Sequence, residues 1–158
     1  MESYRASIEV CVEIGYRNGL ADARRGLGVV LGRLGSYAEA LETLDDALRL
    51  GREAGDADVE MATLNDIGLV QRLAGADGTA SHRAAYDVSL TTGDLFQRAR
   101  ALDGMARGAS AAGDSATAGR QWQEAAALLQ GLGVPEAAVV HAELARLDDE
   151  RLTVPSAD

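Results

Sequence analysis

Arginine is the residue through which this sequence could do chemistry. Asp22, Arg25, Val29 and Arg33 recur at three- and four-residue spacing; so do Asn65, Leu69 and Arg72, and then Arg100, Asp103 and Arg107. Residues three or four apart share one side of a helix, so each set forms a single stripe. A guanidinium presents a rigid fork of donors that matches a carboxylate, and such stripes suit an acidic group on a peptide or a small anion. The same arginines could instead pair inside the chain with Asp22, Asp66 or Asp103, as surface charges often do without further purpose.

Other candidate chemistry falls away on context. Gly26-Leu27-Gly28-Val29-Val30-Leu31-Gly32 has the look of a phosphate loop, but its glycines fall inside an apolar helical pattern instead of following a strand and opening a helix. His82 and His141 have no second His or Cys at ligand spacing, which leaves surface or inter-helix packing for both. Cys11 has no local base to activate it and fits a small slot between helices. Asp45-Asp46 and Asp148-Asp149-Glu150 are neighbours that diverge by about 100° on a helix, so they do not converge on one ion and read as solvated faces. Trp122 reads as core. The sequence thus predicts no catalytic residues, no metal site and no cofactor, and the chain reads as a binding protein and not an enzyme.

Composition narrows the partners. The 158 residues carry a formal net charge of −10, and all 15 of the Lys+Arg total are arginines. An acidic molecule repels phosphate backbones and anionic lipid, so direct nucleic-acid or membrane binding by this segment is disfavoured. A single cysteine excludes an internal disulfide, and the stretch from Met1 to Gly19 is broken by Glu2, Arg5, Glu9, Glu13 and Arg17, with no signal or spanning pattern. A cytoplasmic protein is the expectation.

The elements that must position the arginines follow from a repeat. Gly35, Gly75 and Gly113 stand 40 and 38 residues apart, as do Ala40, Ala80 and Ala118. Gly15, Gly55, Gly93 and Gly133 stand 40, 38 and 40 apart, and Asp56 and Asp94 follow the middle two. A fixed period of this size is the mark of stacked helical units. In the first unit Ala23, Leu27, Val30, Leu31 and Leu34 make one apolar face and Ala40, Leu41, Leu44, Ala47 and Leu48 the next, with Gly35 as the stop. Leu64, Ile67 and Val70 with Ala80, Ala84, Ala85 and Val88 repeat it, as do Leu102, Met105, Ala106 and Ala109 with Ala118, Trp122, Ala125, Ala126 and Leu129. Asp77 and Ser115 are the expected N-caps of the second helices. Gly28 with Ala40, Gly68 with Ala80, and Ala106 with Ala118 are expected at close helix crossings.

The ends differ. Tyr4, Ile8 and Val12 match a second-helix face, so the chain begins inside a repeat without its first helix and reads as part of a longer protein. Pro135 and Glu136 open a capping helix with Val140, Leu144 and Leu147 inward and Arg146, Asp148, Asp149, Glu150 and Arg151 outward. The expected layout is one domain over 1–152: an N-terminal helix at about 2–15, repeats at about 17–55, 57–93 and 95–133, a capping helix at about 135–151, and a disordered tail at 153–158.

Leu27-Gly28, Ala40 and Leu44, Ile67-Gly68 and Ala80, and Ala118 with Trp122 resemble the tetratricopeptide repeat, although the first-helix aromatic and the closing proline are missing and the period exceeds the usual length of about 34 residues. This resemblance implies an all-α fold: a right-handed superhelix of antiparallel helix pairs, about three repeats with a terminal helix at each end, and a concave groove lined by first helices. Gly35-Ser-Tyr-Ala-Glu-Ala-Leu, Glu53-Ala-Gly-Asp56, Gln97-Arg-Ala-Arg-Ala-Leu-Asp-Gly-Met-Ala-Arg107 and Leu132-Gly-Val-Pro135 further resemble the C-terminal repeat domain of actinobacterial antibiotic-pathway regulators of the AfsR/SARP type. That likeness implies the sensory or protein-binding arm of a transcriptional regulator, separate from its DNA-binding and nucleotide-binding parts. Two other expectations stand beside it: a sensor of a small anionic metabolite or short peptide, and a stand-alone scaffold or homodimer built on the unpaired helix face. The chaperone-binding carboxylate clamp is not reproduced, since lysine is absent.

Overall fold

The computed structural model describes residues 1–153, and side chains as far as residue 150. Among the described residues there are eight helices: α1 (Glu2–Glu13), α2 (Arg17–Arg33), α3 (Tyr37–Ala54), α4 (Ala57–Leu73), α5 (Thr79–Thr92), α6 (Leu95–Ala111), α7 (Ser115–Leu132) and α8 (Glu136–Thr153). Each packs on its neighbour in sequence, and the first helices α2, α4 and α6 also lie side by side. This is an all-α solenoid of three helix pairs flanked by one helix at each end. The expected tail lies outside the described residues apart from Thr153, which ends α8, and the expected outward turn of Arg151 lies outside them too.

Every joint between helices turns on a glycine with positive φ: Gly15, Gly35, Gly55, Gly75, Gly93, Gly113 and Gly133. Gly55 is representative. Its φ of 67° lets the amide of Asp56 reach the Gly51 carbonyl at 2.9 Å while its own amide reaches Arg52, closing α3 with two bonds to carbonyls that have no partner in the helix. The next residue opens the following helix, because the Asp56 carboxylate accepts from the Val59 amide at 3.1 Å. Asp94 and Asp114 cap α6 and α7 in the same way, although the Asp94 amide itself ends on the Thr92 hydroxyl oxygen at 3.3 Å. The expected caps need correction: Asp114, and not Ser115, caps α7, while Gly78 occupies the N-cap of α5 and Asp77 accepts from the Thr79 amide just ahead of it.

The core follows the apolar stripes. Ala40, Leu44, Ala47 and Leu48 of α3 and Ala118, Trp122, Ala125, Ala126 and Leu129 of α7 are buried, as are Leu64, Ile67 and Val70 of α4. Val140 and Leu147 anchor α8. Leu34 and Val12 are exposed, contrary to expectation: Leu34 lies beyond the last turn of α2, and α1 buries Cys11 instead of Val12.

The second pair departs from the expected register. Ala80 is exposed, and the residues of α5 that are buried are His82, Ala85 and Ser89. Gly78 therefore stands where Ala40 and Ala118 stand in the other pairs, and His82 where Leu44 and Trp122 stand. The reason is the turn: Ala76, Asp77 and Gly78 lie outside the helix and cover more length per residue than the helical Tyr37 to Ala40, so the chain comes opposite Gly68 two residues sooner. At Gly78 a Cβ would lie 2.2 Å from the Gly68 carbonyl oxygen, so two backbones touch there and a side chain is excluded. The matching contact in the first pair, Gly28 against the Ala40 carbonyl and Leu44, is as expected.

Candidate functional site

The first helices carry three polar clusters, and the first is centred on Asp66. This carboxylate sits on α4 with its side chain 5% exposed, between Arg25 of α2 at 3.0 Å and Arg100 of α6 at 2.7 Å. One buried acid thus ties together the first helices of all three pairs. A carboxylate removed from water needs such partners, because its desolvation otherwise costs several kcal/mol, roughly.

The second cluster joins α6 to α7 and α8. Asp103 accepts from the Trp122 indole at 2.8 Å and from Arg107 at 3.0 Å, and Arg107 reaches on to Glu143 at 2.6 Å. Arg146 adds a second cation to Glu143 at 3.2 Å. Burial alone would raise the Glu143 carboxyl, but Arg107 and then Arg146 outweigh it and hold the group below the usual carboxylate range. Burial likewise opposes the charge on Arg107, and its bonds to Asp103 and Glu143 more than restore it.

The third cluster fixes a histidine. Asn65 is buried, and its amide nitrogen donates to the backbone oxygen and the side-chain oxygen of Gln97, both at 3.1 Å. Its oxygen faces Nδ1 of His82 at 3.1 Å, which assigns the ring proton to Nδ1. Nε2 is left as an acceptor and makes no hydrogen bond to any described residue. Burial, and then the Arg100 cation, push the imidazole down to about 4, so it is neutral at physiological pH.

Glycines make room around this ring. A Cβ at Gly68 would lie 2.6 Å from the imidazole and one at Gly104 2.3 Å, so the ring edge slots between the backbones of α4 and α6. Beside it opens a cavity of about 340 Å³ between α4, the turn 75–79 and α6, whose wall includes Arg72, Asp77, His82 and Gly108. A smaller cavity of about 130 Å³, lined by Leu69 and Arg100 among others, and an open cleft of about 460 Å³ reaching Trp122 and Glu143 continue from it. Arg72 borders all three.

The residues singled out from sequence therefore divide into two groups. Arg25, Arg100, Asp103 and Arg107 are committed to partners inside the chain, Asp22 lies 3.8 Å from Arg25, and Asn65 is spent on Gln97 and His82. Val29 and Leu69 are half-buried, and Arg33 and Arg72 are exposed with no ion pair or hydrogen bond to any described residue. Sequence reasoning passed over His82, Gly104, Gly108 and Asp77 as site residues. The available signal was the placement of glycines inside a helix, Gly104 and Gly108, one turn apart in α6. Asp46, read as a solvated acid, pairs with Arg24 and Arg49. Among the described residues no group of three metal-ligating side chains comes together, and no helix is long and apolar enough to cross a membrane.

Comparison with known proteins agrees with this architecture. Residues 19–85 match the tetratricopeptide repeat family. Among curated proteins, none matches the chain. Among solved structures, the fold is similar to the crystal structure of BtubC (BKLC) from P. vanneervenii, with a TM-score of 0.83 at 17% sequence identity. The similarity covers 96% of this chain and 65% of that one, so the chain spans less than two thirds of that protein's length. By its fold the chain is an all-α solenoid of the tetratricopeptide type.

Proposed function

We propose that this chain is a non-catalytic interaction module that takes a segment of another protein along the side formed by α2, α4 and α6. The observation that carries this reading is the ion-pair web on that side. Arg25 and Arg100 on Asp66 hold α2, α4 and α6 in fixed relation, Arg107 on Glu143 ties α6 to α8, and Arg72 is left unpaired among them. A preformed surface loses little entropy on binding, and an unpaired guanidinium on it selects for an acidic side chain. Val29, Arg33, Leu69 and Arg72 are the proposed contacts; Asp22, Arg25, Asn65, Arg100, Asp103 and Arg107 are their scaffold.

The finer context is a bacterial transcriptional regulator of the AfsR/SARP type, with this module as its protein-binding arm. The likeness of the segments 35–41, 97–107 and 132–135 supports it. A small-ligand sensor is the second reading, favoured by the cavity beside Arg72. Reciprocal pull-down from a cell extract with the native chain and with Arg72→Glu tests the first. A polypeptide retained by the native chain and lost with the variant is the expected result; retention unchanged by the variant would move the contact off this side, and no retained polypeptide would end the reading.

A further inference from the structure

We propose that the cavity between α4, the turn 75–79 and α6 binds a small zwitterion, a molecule of amino-acid size carrying both an ammonium and a carboxylate. The site presupposes a non-catalytic binding module, but it adds a ligand class that a protein-segment groove does not require.

Three groups on the cavity wall define the class. Arg72 is a cation without an internal partner, Asp77 is an acid, and the His82 imidazole also lines the space. His82 is 6% exposed, and its proton is committed to Asn65, so Nε2 offers a lone pair and nothing among the described residues takes it. Asp77 keeps acceptor capacity after accepting from the Thr79 hydroxyl and from the Thr79 amide, the latter at 2.8 Å. Two acceptors, one of them charged, suit an ammonium; the guanidinium suits a carboxylate. A simple anion would meet the Asp77 charge, and a simple cation would meet Arg72. Arg107 does not upset this balance, since Asp103 and Glu143 already neutralise it.

Size and floor point the same way. At about 340 Å³ the cavity lies at the small end for ligand pockets, a volume that suits a molecule of amino-acid size. Gly68 and Gly104 seat the His82 ring against their backbones, and Gly108 seats the Thr79 hydroxyl, so the absence of side chains there fixes the groups at the cavity wall. The bond to Asn65 and the two flanking glycines hold the imidazole before any ligand arrives, which lowers the entropic cost of binding.

The test uses the whole chain and the free L-amino acids as probes, each at about 10 mM to reach affinities in the millimolar range. The sequence holds only two histidines, His82 and His141, so ¹H–¹⁵N spectra of the imidazoles resolve the site directly. At least one free amino acid is expected to move the His82 Nε2 signal and leave His141 in place. Its N-acetyl derivative and its methyl ester, each lacking one of the two charges, are expected to bind about tenfold more weakly or worse. Arg72→Gln and Asp77→Asn are expected to weaken binding by the same factor; Asp77→Asn keeps the oxygen that accepts from Thr79. No response from any amino acid overturns the site, and an N-acetyl derivative binding as well as its parent overturns the zwitterion class. A polypeptide captured by the chain without any His82 response would sink this site and leave the protein-binding reading standing; a His82 response without a captured polypeptide would do the reverse.

Discussion

Nδ1 of His82 stands 3.1 Å from Oδ1 of Asn65, and this bond sets the state of the ring. Asn65 can offer His82 only its oxygen, because its nitrogen is occupied by Gln97. Protonating the ring would bury a cation near Arg100 and Arg72, which is why the imidazole is pushed down to about 4 from an ordinary value of 6.5.

A pH dependence of stability follows. Between pH 6.5 and about 4 the unfolded chain binds a proton at this residue and the folded chain does not. The stabilisation is therefore complete above pH 6.5 and is lost as pH falls toward 4, by at most about 3 kcal/mol. Urea titrations at stepped pH read the slope, and His82→Leu, the residue found at the matching position of the first pair, should flatten it. An equal slope in native chain and variant would assign the effect elsewhere.

Asp66→Asn should destabilise the fold by about 3 kcal/mol, because two guanidiniums lose their shared anion in a partly dry setting. Asp22→Asn, an exposed acid 3.8 Å from Arg25, should change stability by less than about 0.5 kcal/mol. Chemical denaturation of both variants checks the contrast, and equal losses would remove the central role given to Asp66.

Two glycines of one turn should respond for different reasons. Gly75 has a φ of 80° with open space around it, so Gly75→Ala carries only conformational strain, about 1 kcal/mol. Gly78 has an ordinary φ of −94°, but a Cβ there strikes the Gly68 carbonyl, so Gly78→Ala should cost about 3 kcal/mol. Thermal unfolding monitored by circular dichroism ranks them, and the reverse order would contradict the close crossing of α4 and α5.

Trp122 is the chain's one tryptophan, is wholly buried and donates to Asp103. Its emission should lie to the blue in the folded state and shift to the red on unfolding. Trp122→Phe removes both volume and the hydrogen bond, for an expected loss of about 2 kcal/mol. A native emission already typical of water would refute the packing of α7 on α6.

The helices and joints were legible because each joint needs a glycine in a conformation that other residues rarely adopt, and such glycines recur in phase. Spacing misled at the second pair for a physical reason. Gly75 and Ala80 keep the interval of Gly35 and Ala40, but residues 76–78 are not helical and cover more length each, so the small position is reached early, at Gly78. The arginine stripes were legible as stripes. Whether each guanidinium is spent internally depends on acids on other helices, so Arg72 could not be told from Arg100, which reaches Asp66 across 34 residues. For His82 the sequence offers surface or inter-helix packing, and the ring is buried between helices; that it also lines a cavity depends on Gly104, brought to it from another helix.

A stack of helical pairs commonly unravels from an end, because each pair leans only on its neighbours. Asp66 limits how far such fraying can travel here. A front entering from the N-terminal end must release Arg25, and one from the C-terminal end must release Arg100, before the middle pair is reached; either leaves a buried carboxylate half-compensated. The three pairs should consequently melt as one cooperative block, with only the outermost helices free to open and close alone.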